Sequence, residues 1–301
     1  MAKVEYISVE EAAKLWNLSE RSVRNYCSQG RVPGALLDGK TWKVPFSAEK
    51  PGRKIRHAEK ESNLLSFLKR EKDAGLKGGI YHKIQIDLTY NSNHIEGSKL
   101  THDQTRYIFE TKTLGITDEA VKVDDIIETV NHFRCIDLII EGAGTKLSES
   151  FIKQLHYILK TGTSDAGKSW FRVGDYKSLG NEVGGRETTR PDDVPREMKA
   201  LLLEYNSKDK ITFDDILDFH VRFESIHPFQ DGNGRIGRLI MLKECLKHDI
   251  VPFIITEKLK LYYYRGIKEW KNERGYLRDT CLTGQDAMKE TLDYFGVKYL
   301  Q

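Results

Sequence analysis

The stretch Ile226-His227-Pro228-Phe229-Gln230-Asp231-Gly232-Asn233-Gly234-Arg235-Ile236-Gly237-Arg238 is the most informative part of this chain of 301 residues. Pro228 and the glycines Gly232 and Gly234 keep a helix from running through it. The apolar pattern resumes at Ile236, Leu239, Ile240 and Leu242, which predicts a helix that begins near Asn233. A Gly-Asn-Gly turn opening a helix offers backbone N–H groups at the positive end of the helix dipole, and that suits phosphate. Arg235 and Arg238 are three apart and share a helix face. Two guanidinium groups beside such a turn fit an oligophosphate better than a single phosphate. Asp231 places a hard carboxylate next to those phosphates, as expected for Mg²⁺ held jointly by protein and nucleotide. His227 lies across the loop as the candidate general base. Phe229 is expected to point inward and anchor the loop. Each residue alone also fits a loop that merely caps a helix. Base, metal ligand, amide turn and two arginines together point to a site.

Moving outward, the chain from about residue 79 to its end reads as almost wholly helical. Ile80, Ile84, Leu88 and Ile95 mark one face of a helix over 80–96. Ile126, Val130, Phe133, Ile136 and Ile140 mark a second helix, and Phe213, Ile216, Leu217, His220 and Val221 a third. Long strands are absent, and the exception to helix is a polar, Gly- and Thr-rich segment at 171–190. Residues 49–78 read as a charged linker followed by a short connecting helix, Leu64 to Lys72.

Composition limits the function classes. Hydrophobic residues make up 39% and charged residues 31%, enough apolar material for a core, so wholesale disorder is excluded. Lys plus Arg (48) against Asp plus Glu (45) leaves only +3, which excludes a histone-like coat or polybasic anchor. No apolar run approaches the roughly 18 residues of a membrane span, and the first residues lack the pattern of a secretory signal. Cys27, Cys135, Cys245 and Cys281 are far apart, as in a reduced cytoplasmic protein.

His-Pro-Phe-x-Asp-Gly-Asn-Gly-Arg-x-x-Arg at 227–238 resembles the signature of the Fic family, with every position in its commonest form. The resemblance extends over about 79–290. It implies a mainly α, all-helical Fic fold with a short β-hairpin flap, and transfer of AMP from ATP, with Mg²⁺, to a Ser, Thr or Tyr hydroxyl of a protein, the chain itself included. By position, His227 resembles the base and Asp231 the Mg²⁺ ligand. Gly232, Asn233 and Gly234 resemble the phosphate cradle, and Arg235 and Arg238 the clamps. Tyr263, Tyr264 and Asn272 fall where the family lines its adenine side, although tyrosines at helical spacing are more often core or surface packing. Ser92-Asn93-His94-Ile95-Glu96-Gly97 resembles the family's inhibitory pattern, in which the Glu pairs with the second signature arginine. A carboxylate held by Arg238 would exclude the γ-phosphate from it. The flap is expected between Tyr176 and Arg190, with Asn181, Glu182, Val183 and Gly184 as a strand edge on which a target chain docks.

Residues 1–48 resemble a helix-turn-helix unit of the MerR and excisionase type, with a wing. Ser8 to Glu11 is a capping box, a second helix follows Ser19, and Asp38-Gly39 is a hairpin signal. Arg21, Arg24, Asn25, Lys40 and Lys43 are the candidate DNA contacts. Residues 1–50 hold eight basic and six acidic side chains, a small excess for phosphate binding that a homodimer would double. A docking module for a protein partner is the alternative. Three functions stay open on the sequence: a self-inhibited AMP transferase, a DNA-bound regulator whose core senses nucleotide, and a hydrolase that removes AMP, with Glu96 orienting water.

Overall fold

The computed structural model describes residues 5–28, 30–39, 41–51, 63–115 and 120–299. The chain divides into two compact units, 1–61 and 62–301. In the first, β1 (Tyr6–Ser8) leads into α1 (Val9–Trp16), then α2 (Glu20–Ser28), β2 (Leu36–Asp38) and β3 (Thr41–Pro45). The Ser8 hydroxyl caps Glu11 N–H while the Glu11 carboxylate accepts from Ser8 N–H at 2.8 Å, so α1 starts where its capping box dictates. Asn17, at φ 52°, ends the helix and turns the chain into α2. The three strands are antiparallel in the order β1-β3-β2. Ala12, Val23 and Val44 are fully buried between helices and sheet. β1 was not foreseen from the sequence: its exposed–intermediate–exposed run shows no apolar alternation, and only pairing with β3 makes it a strand.

The second unit is built of α3 (Leu64–Ala74), α4 (Ile80–Ile95), α5 (His102–Thr111), α6 (Val123–Gly142), α7 (Glu149–Lys160), α8 (Val194–Asn206), α9 (Phe213–Ile226), α10 (Asn233–Lys247), α11 (Lys260–Glu269) and α12 (Gly275–Tyr294). A hairpin, β4 (Glu182–Val183) and β5 (Arg186–Glu187), stands between α7 and α8. The stripe Ile80, Ile84, Leu88 and Ile95 is buried, as its spacing predicts. α10 is the central helix. All but two of its residues are buried, and it packs against α9, α6, α4, α7 and α3. A helix buried all round can carry polar side chains only where partners meet them. Lys243, for example, donates to Glu244 Oε1 at 2.7 Å and to the Thr145 carbonyl at 2.8 Å.

One expectation is corrected here. The boundary read from sequence at 78/79 falls near 61/62, because α3 belongs to the helical unit. Leu64 and Leu68 are buried in its core, Asn63 donates to Asp249 at 2.6 Å, and Glu71 accepts from Tyr81 N–H at 2.8 Å. The connecting helix read as Leu64 to Lys72 is present as Leu64–Ala74, and its buried face joins it to the helical unit. Residues 52–62 of the expected linker, and Lys40 of the expected wing, lie outside the described residues.

Candidate active site

The loop between α9 and α10 is held by its own side chains. His227 caps α9 in the left-handed region, at φ 52° and ψ 61°, a conformation uncommon for a residue with a Cβ. Phe229 is fully buried and stacks on His156, with ring centroids 4.0 Å apart and planes at 5°. Asn233 closes the turn: its Oδ1 accepts from Phe229 N–H at 2.8 Å and its Nδ2 donates to the Phe229 carbonyl at 2.8 Å. The Asn233 side chain therefore shapes the cradle rather than facing a ligand. Gly232, at φ 82°, takes the N-cap of α10.

Two ionic arrangements flank the start of α10. On one side Asp231 Oδ2 accepts from Lys160 Nζ at 2.6 Å and from Arg235 Nη2 at 3.2 Å. Lys160 also reaches Glu128 at 2.5 Å and Asp165 at 3.3 Å, and Arg235 bonds Glu128 as well. Burial works to raise the Asp231 carboxyl, yet Arg235 and Lys160 outweigh it and hold it down at about 2. Asp231 is thus an ionised, half-exposed oxygen donor at the mouth of the cradle. No cluster of three or more metal-ligating side chains exists among the described residues. The donor set fits a hard cation such as Mg²⁺ that takes its remaining ligands from phosphates and water.

On the other side Arg238 Nη2 donates to Glu96 Oε1 at 2.6 Å and to the Ser92 carbonyl at 2.9 Å, and its Nε donates to Ser92 Oγ at 3.0 Å. Gly97, at φ 95°, turns the chain away immediately after α4. The Glu96 carboxylate lies against Gly234, so close that a Cβ there would run into it. It covers part of the cradle. Arg235 and Arg238, expected to clamp one oligophosphate, point toward different helices, α6 and α4. Arg235 is nearly sealed and occupied by Glu128 and Asp231, so it orients the Asp231 carboxylate.

Burial, followed by the charge of Lys177, lowers the His227 imidazole to about 4, so it is neutral at physiological pH. Its Nδ1 is buried on the side of the Glu224 backbone, and with the ring proton held there Nε2 is the nitrogen that can accept one. Glu224, 4.0 Å from Nδ1, is pushed up to about 8 by burial and by Glu96. Gly237 lets this packing occur, because a Cβ there would meet His220 and Glu224 within 2.8 Å.

The hairpin turns through Gly184 and Gly185, at φ 58° and 74°, the left-handed pair that a two-residue turn requires. Glu182 pairs with Glu187 and Val183 with Arg186. The outer residues are exposed, and Asn181 Nδ2 donates to the Phe229 carbonyl at 3.3 Å, tying the hairpin to the loop. Tyr263 is a correction. It is fully buried, with its hydroxyl 2.6 Å from His220 Nε2, so it supports the core under Arg238 and offers no face to adenine. Tyr264 is exposed, and Asn272 pairs with Glu269 at 3.2 Å. The sequence reading missed Glu128, Lys160, Lys177, Glu224 and His156. None lies in the signature, and no spacing connects Glu128 or Lys160 to Asp231.

A histidine, a carboxylate and a helix N-terminus converge on one loop of a mainly α protein, a combination suited to phosphate. Residues 146–245 match the Fic/DOC family. That segment of the chain is similar to Fic/DOC domains. It is 27% identical over 210 residues to the protein adenylyltransferase Fic of Drosophila sechellia, covering 68% of this chain and 41% of that relative. The protein of the same name from Drosophila mojavensis is 26% identical over 234 residues, covering 76% and 43%. The chain thus spans about two fifths of the length of these curated relatives. Among solved structures, a Fic domain containing signaling protein from Bacteroides thetaiotaomicron superposes with TM-score 0.60 at 23% identity, over 76% of this chain and 94% of that one. Fic-1 from C. elegans does so with TM-score 0.57 at 19% identity, over 78% and 71%. Both share the fold.

Proposed function

We propose that this chain is a protein adenylyltransferase, held in a self-inhibited state by Glu96. The named activity of the relatives supports the reaction class. The observation that carries the inhibition is the Glu96 carboxylate bound to Arg238 and seated over Gly234. In the reaction, the oxygen of a Ser, Thr or Tyr hydroxyl attacks the α-phosphorus of ATP. The hydroxyl proton passes to Nε2 of His227, which its surroundings keep neutral. A phosphodiester bond to the target forms as the bond to pyrophosphate breaks. The amides at the start of α10 and, once free, the Arg238 guanidinium hold the phosphates. Asp231 would hold Mg²⁺, whose charge would neutralise the departing pyrophosphate. The target chain docks along the exposed edge of β4–β5. While Glu96 occupies Arg238, the γ-phosphate meets an anion where it needs a cation, and ATP cannot settle in the productive pose.

Unit 1 supports a DNA-binding reading through the exposed face of α2, which carries Arg21, Arg24 and Asn25. Arg24 pairs with Glu20 at 2.5 Å and Lys43 with Asp38 at 2.9 Å, so phosphate must compete with these carboxylates for both. The four free, buried cysteines suit a cytoplasmic setting. No helix among the described residues is long and apolar enough to cross a membrane.

The test is mass spectrometry of the purified Glu96→Gly protein after incubation with ATP and Mg²⁺. An AMP adduct on the chain or on lysate proteins is expected, reduced by about 10²–10⁴-fold when His227→Ala is added. No adduct, together with release of AMP from a pre-modified target by the unsubstituted chain with Glu96 in place, would assign the opposite reaction.

A further inference from the structure

Lys177 stands outside the signature. It is almost fully buried, and burial pulls its ammonium down to about 8. It donates to Asn181 Oδ1 at 2.7 Å, just before β4, and to Thr188 Oγ1 at 2.6 Å, just after β5. A longer contact, 3.5 Å, reaches the carbonyl of Ile226, the residue before His227. All three acceptors are neutral. A buried ammonium without a carboxylate is costly, and neutral side chains could join two strands at lower cost. Its main chain makes the same connection, since Lys177 N–H donates to the Pro228 carbonyl at 2.9 Å.

We propose that Lys177 is a positioning residue of the transfer reaction: its ammonium joins both stems of the β4–β5 hairpin to the carbonyl preceding His227, and so fixes a docked target strand relative to the base. The inference rests on the adenylyltransferase reading. The charge has a second consequence. The groups that face His227 are Glu224 from α9, Glu96 from α4, Asp231 from its own loop, and Lys177. The Glu96 and Asp231 carboxylates and the Glu224 backbone favour a protonated imidazole, whereas the Lys177 cation opposes it and helps burial keep the base free. Hairpin position and base protonation therefore share one side chain.

The experiment uses the full chain in the Glu96→Gly background, with Lys177→Met, Lys177→Arg and Thr188→Val. Four quantities are read: AMP transfer to the chain itself or to lysate proteins, ATP affinity by calorimetry, amide hydrogen exchange over 181–188, and the His227 titration by NMR. Lys177→Met should slow transfer by about tenfold or more, since small misplacements of reacting groups are costly. Exchange over 181–188 should quicken by about tenfold, and the His227 midpoint should move to higher pH because an opposing cation is gone. ATP affinity should stay within about twofold. Lys177→Arg should restore the midpoint and most of the transfer. Unchanged exchange together with an unchanged His227 midpoint would overturn the proposal, as would a loss of transfer explained wholly by lost ATP affinity. If Lys177→Met does not fold, Thr188→Val decides, and unaltered exchange over 181–188 in that variant overturns the link. Absence of any transfer in Glu96→Gly would remove the adenylyltransferase reading alone, since exchange and titration still report on Lys177.

Discussion

Arg235 and Arg238 begin the same helix and differ in what surrounds them. Around Arg235, two cations and three carboxylates (Lys160 and Arg235 with Glu128, Asp165 and Asp231) satisfy one another several times over. Around Arg238 a single carboxylate, Glu96, makes the ionic contact, and its side chain stays 31% exposed. Glu96 is also the C-cap of α4, where the helix dipole is negative and disfavours an anion. Arg238 keeps two further bonds, both to Ser92, that do not depend on Glu96. The first arrangement is a fixed part of the core. The second can lose its carboxylate to a phosphate while the guanidinium stays in place. The difference lies in the number of partners, since Asp231 on the first side is no less exposed than Glu96 on the second.

If that contrast is right, the largest effect comes from the fixed side. Lys160→Met should destabilise the helical unit by about 3 kcal/mol, because it removes the buried ammonium that Glu128, Asp165 and Asp231 share. Denaturant unfolding would measure it, and a loss under about 1 kcal/mol would put Lys160 on a par with a surface ion pair. Asp231→Ala should weaken the Mg²⁺ dependence of ATP binding, read by calorimetry with and without the metal. On the detachable side, Glu96→Gly should raise AMP transfer by about tenfold or more, whereas Arg238→Ala should show no such gain and the double variant should resemble it. Additive effects in that cycle would mean that the two residues act independently. Smallest of all, Glu96→Gln should change unfolding stability by less than about 1 kcal/mol.

Acid offers a probe that strains the two sides unequally. Burial holds His132, His156 and His220 at about 3 and His227 at about 4. A histidine lowered in the folded state takes up protons first in the unfolded state, so its contribution is present above about 6.5 and declines as pH falls toward the folded value. Glu224, raised to about 8, acts in the opposite sense over part of this range and offsets one histidine. Melting temperature should therefore fall steadily from pH 6.5 to pH 4. Asp231, held at about 2, keeps its ion pairs over that window. A melting temperature flat across it would contradict the buried neutral histidines.

The sequence by itself determined what is local. Ser8 and Glu11 start α1, Gly232 and Asn233 shape the turn into α10, Gly184 and Gly185 reverse the hairpin, and apolar stripes such as Ile80–Ile84–Leu88–Ile95 set the buried faces. Each works through backbone angles or helical period, which neighbours in the chain fix. The meeting of Glu96 with Arg238 was also legible, because a motif stood at each end. Tertiary structure alone decided that Glu128 and Lys160 converge on the Asp231–Arg235 side and that Lys177 stands beside His227. It also moved α3 into the helical core and Tyr263 beneath the site. Helical period says which face of α6 or α7 is buried and not which helix it meets. A buried charge is explained only by its partner, and these partners lie tens of residues away in the chain with no spacing rule to connect them.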